Sequence, residues 1–339
     1  MFIQKNISAV LILLIMVCNV ASAETSNIEI KPDTIIIFNQ NVIHFAPDEP
    51  NKYDTNKVFA EDNGRIISAR ILLPEYNKQT KISAYLAIHP IPKNEVSVCD
   101  PWDRAGNIRL SIEGQPDIEI IKFITSYGGF TKYETDISYL APLLKDSCTI
   151  KGFIDTWLTP GWKVDFNLIY KPTEEQNNPD WASNLMYTDS YNDADMSNEG
   201  LTVKIKIPDS VKRVKLHYLV SGHCTDGTDA DEFVSKDNII YVDNCAVYRY
   251  KPWRDDCRNF RDVNPYTRRW SDGWWSSDFS RSGWCPGDMV LPLELDLTDH
   301  LTPGEHMVRF VIEDVRPKDD NGHYGYWRIS SHFFGWYSK

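Results

Sequence analysis

The stretch Lys163-Val164-Asp165-Phe166-Asn167-Leu168-Ile169-Tyr170 places an apolar side chain at every second position. Successive side chains of an extended strand point to opposite faces, so Val164, Phe166, Leu168 and Tyr170 share one face, and that face is buried. The same period recurs on either side of it. Ile82, Ala84, Leu86 and Ile88 alternate in this way, as do Ile108, Leu110 and Ile112, then Leu201, Val203, Ile205 and Ile207, then Leu291, Leu293, Leu295 and Leu297. No sustained 3.6-residue stripe competes with it; only residues 139–145 and 229–236 suit short helical turns. Many short strands broken by Gly, Pro and Asn predict an all-β chain built as sandwiches or jelly rolls.

A polar, proline-flanked stretch at 172–179 offers nothing to bury and reads as a linker. It separates an expected β-domain at 24–172 from another at 180–339. The first residues read as an export signal: Lys5 is a basic start, residues 7–17 are apolar, and Val20-Ala21-Ser22-Ala23 ends in a cleavable small-x-small pattern. The apolar run is shorter than the roughly 20 residues a membrane helix needs. Met16-Val17 is a poor lead-in for lipid attachment at Cys18, so a secreted or periplasmic protein is expected without an anchor. Beyond the signal remain Cys99, Cys148, Cys224, Cys245, Cys257 and Cys285, an even set that predicts three disulfides in an exported chain. No CxxC pair suggests zinc or dithiol chemistry.

The net charge of −12 argues against a nucleic-acid partner, which would call for clustered Lys and Arg. None of the eleven tryptophans precedes Trp102, whereas Trp253, Trp270, Trp274, Trp275 and Trp284 crowd one loop-rich stretch. Most such rings fill a core. Trp274 and Trp275, set among Ser, Asp and Gly, are the better candidates to stack on a sugar.

Three acidic sites lie beside aromatic or basic residues. In Cys99-Asp100-Pro101-Trp102-Asp103-Arg104, Asp103 stands between an indole and a guanidinium; the arginine favours its charged form and the apolar ring opposes it. A partly desolvated carboxylate of this kind suits a general base, although an adjacent Asp-Arg pair is more often a surface ion pair. Asp155-Thr156-Trp157 precedes the strand at Val164. Asp229-Ala230-Asp231-Glu232-Phe233 lacks the glycine and closing glutamate of a calcium loop and reads more simply as a solvated loop. No nucleophile elbow, zinc-binding His pair or phosphate-cradling loop is present. His223 is the one histidine near a candidate site.

These motifs resemble the peptide-N-glycosidase F family. The segment from Cys99 to Ile108 resembles its C-D-x-W-D-R-x-x-N-V, and Phe123-Ile124-Thr125-Ser126-Tyr127 its F-I-T-P-Y. Asp155-Thr156-Trp157-Leu158 with Val164-Asp165-Phe166 is similar to E-T-W-L and V-D-F. Arg281-Ser282-Gly283-Trp284-Cys285-Pro286-Gly287 is similar to R-A-G-W-C-P-G, and Ser330-Ser331-His332-Phe333 to the closing S-S-F strand. The resemblance implies two side-by-side antiparallel jelly rolls with the active site between them. It also implies an amidase that hydrolyses the glycosylated asparagine side chain of N-glycoproteins and glycopeptides without metal or cofactor. Carried over residue by residue, Asp103 is the principal catalytic acid, Glu232 the second-domain acid that holds water and substrate, and Asp155 the third acid. Arg104 and Arg281 orient the acids and substrate, Trp157 lies beside the innermost sugar, and Trp102 and His223 complete the substrate site. Trp284 is structural, and Cys257 with Cys285 retains a family bridge.

The departures are specific. Asp155 is one methylene shorter than the family's glutamate, Phe233 replaces a tryptophan, and Cys148, Cys224 and Cys245 have no counterparts. A glycan-binding protein without turnover and an endoglycosidase remain open beside the amidase. A copper enzyme would need histidine clusters that this chain lacks.

Overall fold

The computed structural model describes residues 33–337 apart from 54–56, 75, 77, 175–176, 197–199 and 226–229. The expected export signal with Cys18, and Asp229 of the acidic loop, lie outside the described residues. The first half holds β1 (Asp33–Ile43), β2 (Lys52–Tyr53), β3 (Phe59–Glu61), β4 (Ile66–Leu72), β5 (Thr80–Pro90), β6 (Pro92–Asn94), β7 (Ser97–Val98), β8 (Ala105–Ser111), β9 (Ile118–Ile124), β10 (Thr131–Asp136), β11 (Ser147–Ile154) and β12 (Trp162–Pro172). The second holds β13 (Trp181–Asn192), β14 (Leu201–Ile207), β15 (Arg213–Cys224), β16 (Asn238–Val242), β17 (Cys245–Tyr250), β18 (Leu293–Asp296), β19 (Gly304–Ile312) and β20 (Gly325–Trp336).

Two antiparallel sheets, β1-β12-β5-β10 and β2-β3-β4-β11-β8-β9, face each other in the first half, and β13-β20-β15-β18 faces β14-β19-β16-β17 in the second. The non-sequential strand orders are those of jelly rolls. Along β12 the expected alternation holds: Trp162, Val164, Phe166, Leu168 and Tyr170 are buried among Phe38, Ile82, Leu86 and Ile108. A second core gathers Leu216, Tyr218, Phe310, Trp327 and Phe333. The row at 291–297 is shorter than expected: the strand spans Leu293–Asp296, and Leu291 is exposed. Of the helical turns, only a single 3-10 turn at Ser138–Leu140 forms near 139–145.

Three strands are buried on both faces. In β15, Val214, Leu216, Tyr218 and Val220 point into the second core, while His217, Leu219, Ser221 and His223 occupy the opposite face. In β20, Trp327, Ile329 and Phe333 point inward, and Arg328, Ser330 and His332 point the other way. That polar face meets β9, all seven of whose residues are buried. Lys122 Nζ donates to the Arg328 carbonyl at 2.7 Å and lies 3.4 Å from Glu119, whose backbone N–H donates to Ser330 Oγ at 3.2 Å. The two sandwiches therefore meet through paired polar groups, as burial of charge requires.

Residues 287–290 run along the outer edge of β9. Gly287 N donates to Ile124 O at 3.0 Å, Ile124 N to Asp288 O at 3.0 Å and Val290 N to Lys122 O at 2.9 Å. This ladder covers an edge that would otherwise expose backbone donors and acceptors.

Two expectations are corrected. Residues 177–178 are not a solvated linker: Asn178 is fully buried with its amide on Thr80 O, and the Trp336 indole donates to Asn177 O. Among the described residues Cys257–Cys285 is the one disulfide, while Cys99, Cys148, Cys224 and Cys245 are thiols. Cys148 and Cys245 end up on separate sheets, one inside β11 and the other opening β17, so export composition alone was a poor guide to pairing. No helix among the described residues is long and apolar enough to cross a membrane.

Candidate active site

Three strands of one sheet deliver their ends to one place. β8 pairs antiparallel with both β9 and β11, with Ala105 opposite Ile124 and Gly106 opposite Ile154. Asp103 immediately precedes β8, Asp155 immediately follows β11, and Tyr127 lies just past β9, so all three collect at the same edge of the sheet. Asp155 N is bonded to Ala105 O at 2.9 Å, which fixes the two acid-bearing segments side by side. From the other sandwich, β15 ends in His223 and Cys224 opposite Tyr326 and Gly325 at the start of β20. Together these segments line a cavity of about 350 Å³ that holds Asp103, Arg104, Asp155, Trp157, His223 and Glu232.

Arg281 organises two of the acids. Its guanidinium is 2% exposed and lies 3.8 Å from Asp103 Oδ2 and 3.5 Å from Glu232 Oε1. It donates to the carbonyls of Phe279 and Ser276, each at 2.8 Å, between the rings of Trp284 and Phe233. Its backbone pairs with Arg254, and the Cys257–Cys285 bridge closes the loop that carries it. Burial raises the Asp103 carboxyl above the usual range; Arg281 and a hydrogen bond from Tyr127 oppose that rise. Burial also pushes Glu232 up to about 7, against Arg281 and with help from Asp103. One cation facing two buried carboxylates leaves an excess negative charge, and the pair relieves it by holding a proton. The Cys224 thiol donates to Glu232 Oε2 at 3.2 Å.

Asp231 explains how Glu232 is aimed. It is fully buried and accepts from Arg316 N at 2.9 Å and from the Trp327 indole at 3.3 Å. It is thus an anchor inside the fold rather than part of a solvated loop. A Cβ on Gly325 would lie 1.5 Å from Asp231 Oδ2, so only glycine fits beside it.

Arg104 acts on Asp103 through its charge and makes its own bonds elsewhere. Its Nε donates to Asp100 at 3.0 Å, and the fully buried Asp100 also accepts from Thr156 Oγ1 at 2.6 Å and from Trp102 N. Sequence adjacency was misleading because side chains of neighbouring extended residues diverge. Asp155 accepts from Arg328 Nη2 at 2.7 Å and lies 3.6 Å from Arg65 Nη1. Arg65 in turn sits 4.8 Å over the Trp157 ring, which is 54% exposed and free to take a ligand on its outer face. His223 is stacked between Trp284 and Tyr326 with Nε2 on Ser221 Oγ, and burial holds it well below the usual histidine range, hence neutral. Trp284 is buried with its indole N–H on Gly222 O, the structural part expected of it. Trp102 stands apart from the acid-lined cavity, in a neighbouring groove. Of the tryptophans favoured as ligand candidates, Trp274 is exposed and Trp275 lies under the Arg261 guanidinium. Asp100, Tyr127, Tyr326 and Arg328 belong to the site but were not singled out by sequence reasoning; only the quoted motifs that contain Asp100 and Tyr127 carried a signal. No cluster of three or more His, Cys, Asp or Glu among the described residues is arranged to hold a metal.

The fold and cavity define a double-jelly-roll protein with an acid-lined cleft between its sandwiches. Residues 34–123 and 111–170 match the family described as Peptide-N-glycosidase F, N terminal, and residues 190–334 match Peptide-N-glycosidase F, C terminal. The chain belongs to the peptide-N-glycosidase F family. The solved structure of PNGF-II superimposes with a TM-score of 0.80 at 24% identity, covering 90% of this chain and 65% of that one. The chain therefore spans less than two thirds of PNGF-II. PNGase F, a glycosylasparaginase from Flavobacterium meningosepticum, gives a TM-score of 0.67 at 19% identity over 91% of this chain and 97% of its own. No curated protein sequence matches.

Proposed function

We propose that this chain is an amidase that cleaves the bond between N-linked glycan and asparagine. The observation that carries the reading is the buried Arg281 set between Asp103 and Glu232. A water molecule attacks the side-chain carbonyl carbon, with Asp103 taking its proton. Asp103 returns that proton to the amide nitrogen as the C–N bond breaks, the sugar leaves as a glycosylamine that later loses ammonia, and aspartate remains in the peptide. Carboxylates with raised proton affinity are suited to move protons near neutral pH. Glu232, in its protonated form, holds the water and the substrate amide. Trp157 presents its face to the innermost sugar of the chitobiose core, and Asp155, fixed by Arg328, bonds that sugar's hydroxyls. The protein works as an exported monomer on glycoproteins and glycopeptides, with domains at 24–172 and 180–339.

Mass spectrometry of a defined N-glycopeptide in ¹⁸O-water tests this. The expected products are an intact glycan and a peptide in which the new aspartate carries one ¹⁸O. A GlcNAc left on the asparagine would instead identify an endoglycosidase, and binding without product would identify a lectin. The reading also fixes a pH profile: kcat/KM falls as pH rises through about 7, where Glu232 loses its proton, and this limb vanishes in Glu232→Gln. Trp157→Ala, at a half-exposed position, is expected to raise KM about tenfold, equivalent to ~1.4 kcal/mol; an unchanged KM would remove the stacking role.

A further inference from the structure

Beside the Asp103–Arg281 pair lies a second concavity, of about 180 Å³, walled by Trp102, Tyr127, Tyr266, Arg268, Trp270 and Ser276. It shares its walls with the reaction centre. Trp102 adjoins Asp103 in the chain, Tyr127 hydrogen-bonds the Asp103 carboxylate, and the Ser276 carbonyl holds Arg281. Its outer wall is built in advance. Arg268 and Ser276 exchange hydrogen bonds, Trp270 N donates to Trp274 O, and Tyr266 N donates to Tyr127 O. The Tyr266 ring fills the space where any side chain on Gly128 would sit, and its hydroxyl reaches Val96 O. Trp102 and Trp270 are 41% and 54% exposed, so these indoles are not spent on a core. Arg268 lies 5.1 Å over Trp102 and carries no ion pair among the described residues.

We infer that this groove holds the polypeptide flanking the glycosylated asparagine, with a large apolar side chain between Trp102 and Trp270 and a carboxylate on Arg268. The inference rests on the amidase reading. In that reaction the sugar departs from the amide nitrogen and the peptide from the carbonyl side, so the two must leave Asp103 in different directions. The cavity with Asp155 and Trp157 takes the sugar, and the adjoining concavity is left for the chain. Aromatic walls and one unpaired cation fit an apolar and acidic peptide better than a polyhydroxylated ring, which needs many hydrogen-bonding partners.

The test uses two glycopeptides with one glycan, the first with Phe and Glu flanking the glycosylation sequence and the second with Gly in their place. The intact protein is expected to favour the first by at least about tenfold in kcat/KM. Arg268→Ala and Trp270→Ala, both at exposed positions, are each expected to cut that preference to about threefold or less. Equal cleavage of the two peptides by the unmodified protein overturns the inference and leaves the amidase standing. So does a preference that survives both substitutions, or variants that change the choice of glycan instead. Cleavage of neither peptide removes the amidase reading and this inference with it.

Discussion

Asp103→Asn is expected to lower glycan release by about 10³-fold, within the range for loss of a general base, and at the same time to stabilise the fold at pH 8. Arg281 faces two carboxylates, and when both are ionised the buried cluster carries one negative charge too many. The sign follows from proton binding. Glu232 keeps its proton in the folded chain up to about 7, whereas the unfolded chain releases it near the ordinary glutamate value of 4.5. Folding stability that is complete below 4.5 is therefore lost as pH rises through 7. Glu232→Gln removes this loss and is expected to recover on the order of 1–3 kcal/mol at pH 8; Asp103→Asn acts in the same direction. The double substitution leaves the guanidinium buried without a counter-charge and is expected to cost about 3 kcal/mol or more. Thermal unfolding of the four proteins at pH 8 decides the matter. Additive effects, or destabilisation by each single change, would refute a shared cation.

Acid is expected to loosen the contact between the sandwiches. Tyr139, in the 3-10 turn of the first sandwich, stacks on His217 at 4.6 Å and on His332 at 5.3 Å, both from the second. Both histidines are buried, and neither nitrogen of His217 has a hydrogen-bond partner. Burial lowers His217 to about 3 and holds His332 well below 6.5, the latter with help from His217. Glu294 and Asp136 are the acids whose charge bears on Tyr139. Both rings are neutral in the fold, so the unfolded chain binds more protons below 6.5. Stability is complete above that value and falls as pH drops, by about 1.4 kcal/mol per pH unit for each histidine. Denaturant titrations at pH 7 and pH 5 are expected to differ by several kcal/mol, and His217→Phe and His332→Phe to shrink the gap. A gap left undiminished in the double variant would place the acid sensitivity elsewhere, since the neutral His223 keeps part of it and Glu232 opposes it.

Much of the fold was legible because a single buried face leaves a period of two, and β12 shows it cleanly. The same rule misleads on β15 and β20. Alternation alone would send their polar positions to solvent, yet Ser221, His223, Arg328 and His332 are buried. Alternation records which residues face the local core and says nothing about what covers the other side. Asp103, Glu232 and Asp155 were found because short motifs kept their order, and the structure brings all three to one cavity. Of their partners, Arg281 was named with them, whereas Tyr127 and Arg328 were not. Arg104 turns to Asp100 and leaves Asp103 to Arg281, a choice made by the ends of strands far apart in sequence. The cysteines failed for a related reason, since an even count carries no distance between β-carbons.

The ladder between residues 287–290 and β9 has one more consequence. The two walls of the cleft are stitched by backbone hydrogen bonds, and a buried polar face with Lys122 on Arg328 O and Glu119 N on Ser330 is packed behind them. Swinging one sandwich away from the other would break that ladder together with the bonds from Lys122 to Arg328 O and from Glu119 N to Ser330. The cleft is thus a gauge of fixed aperture. A ligand is admitted by its own shape, because neither wall can move without breaking that ladder.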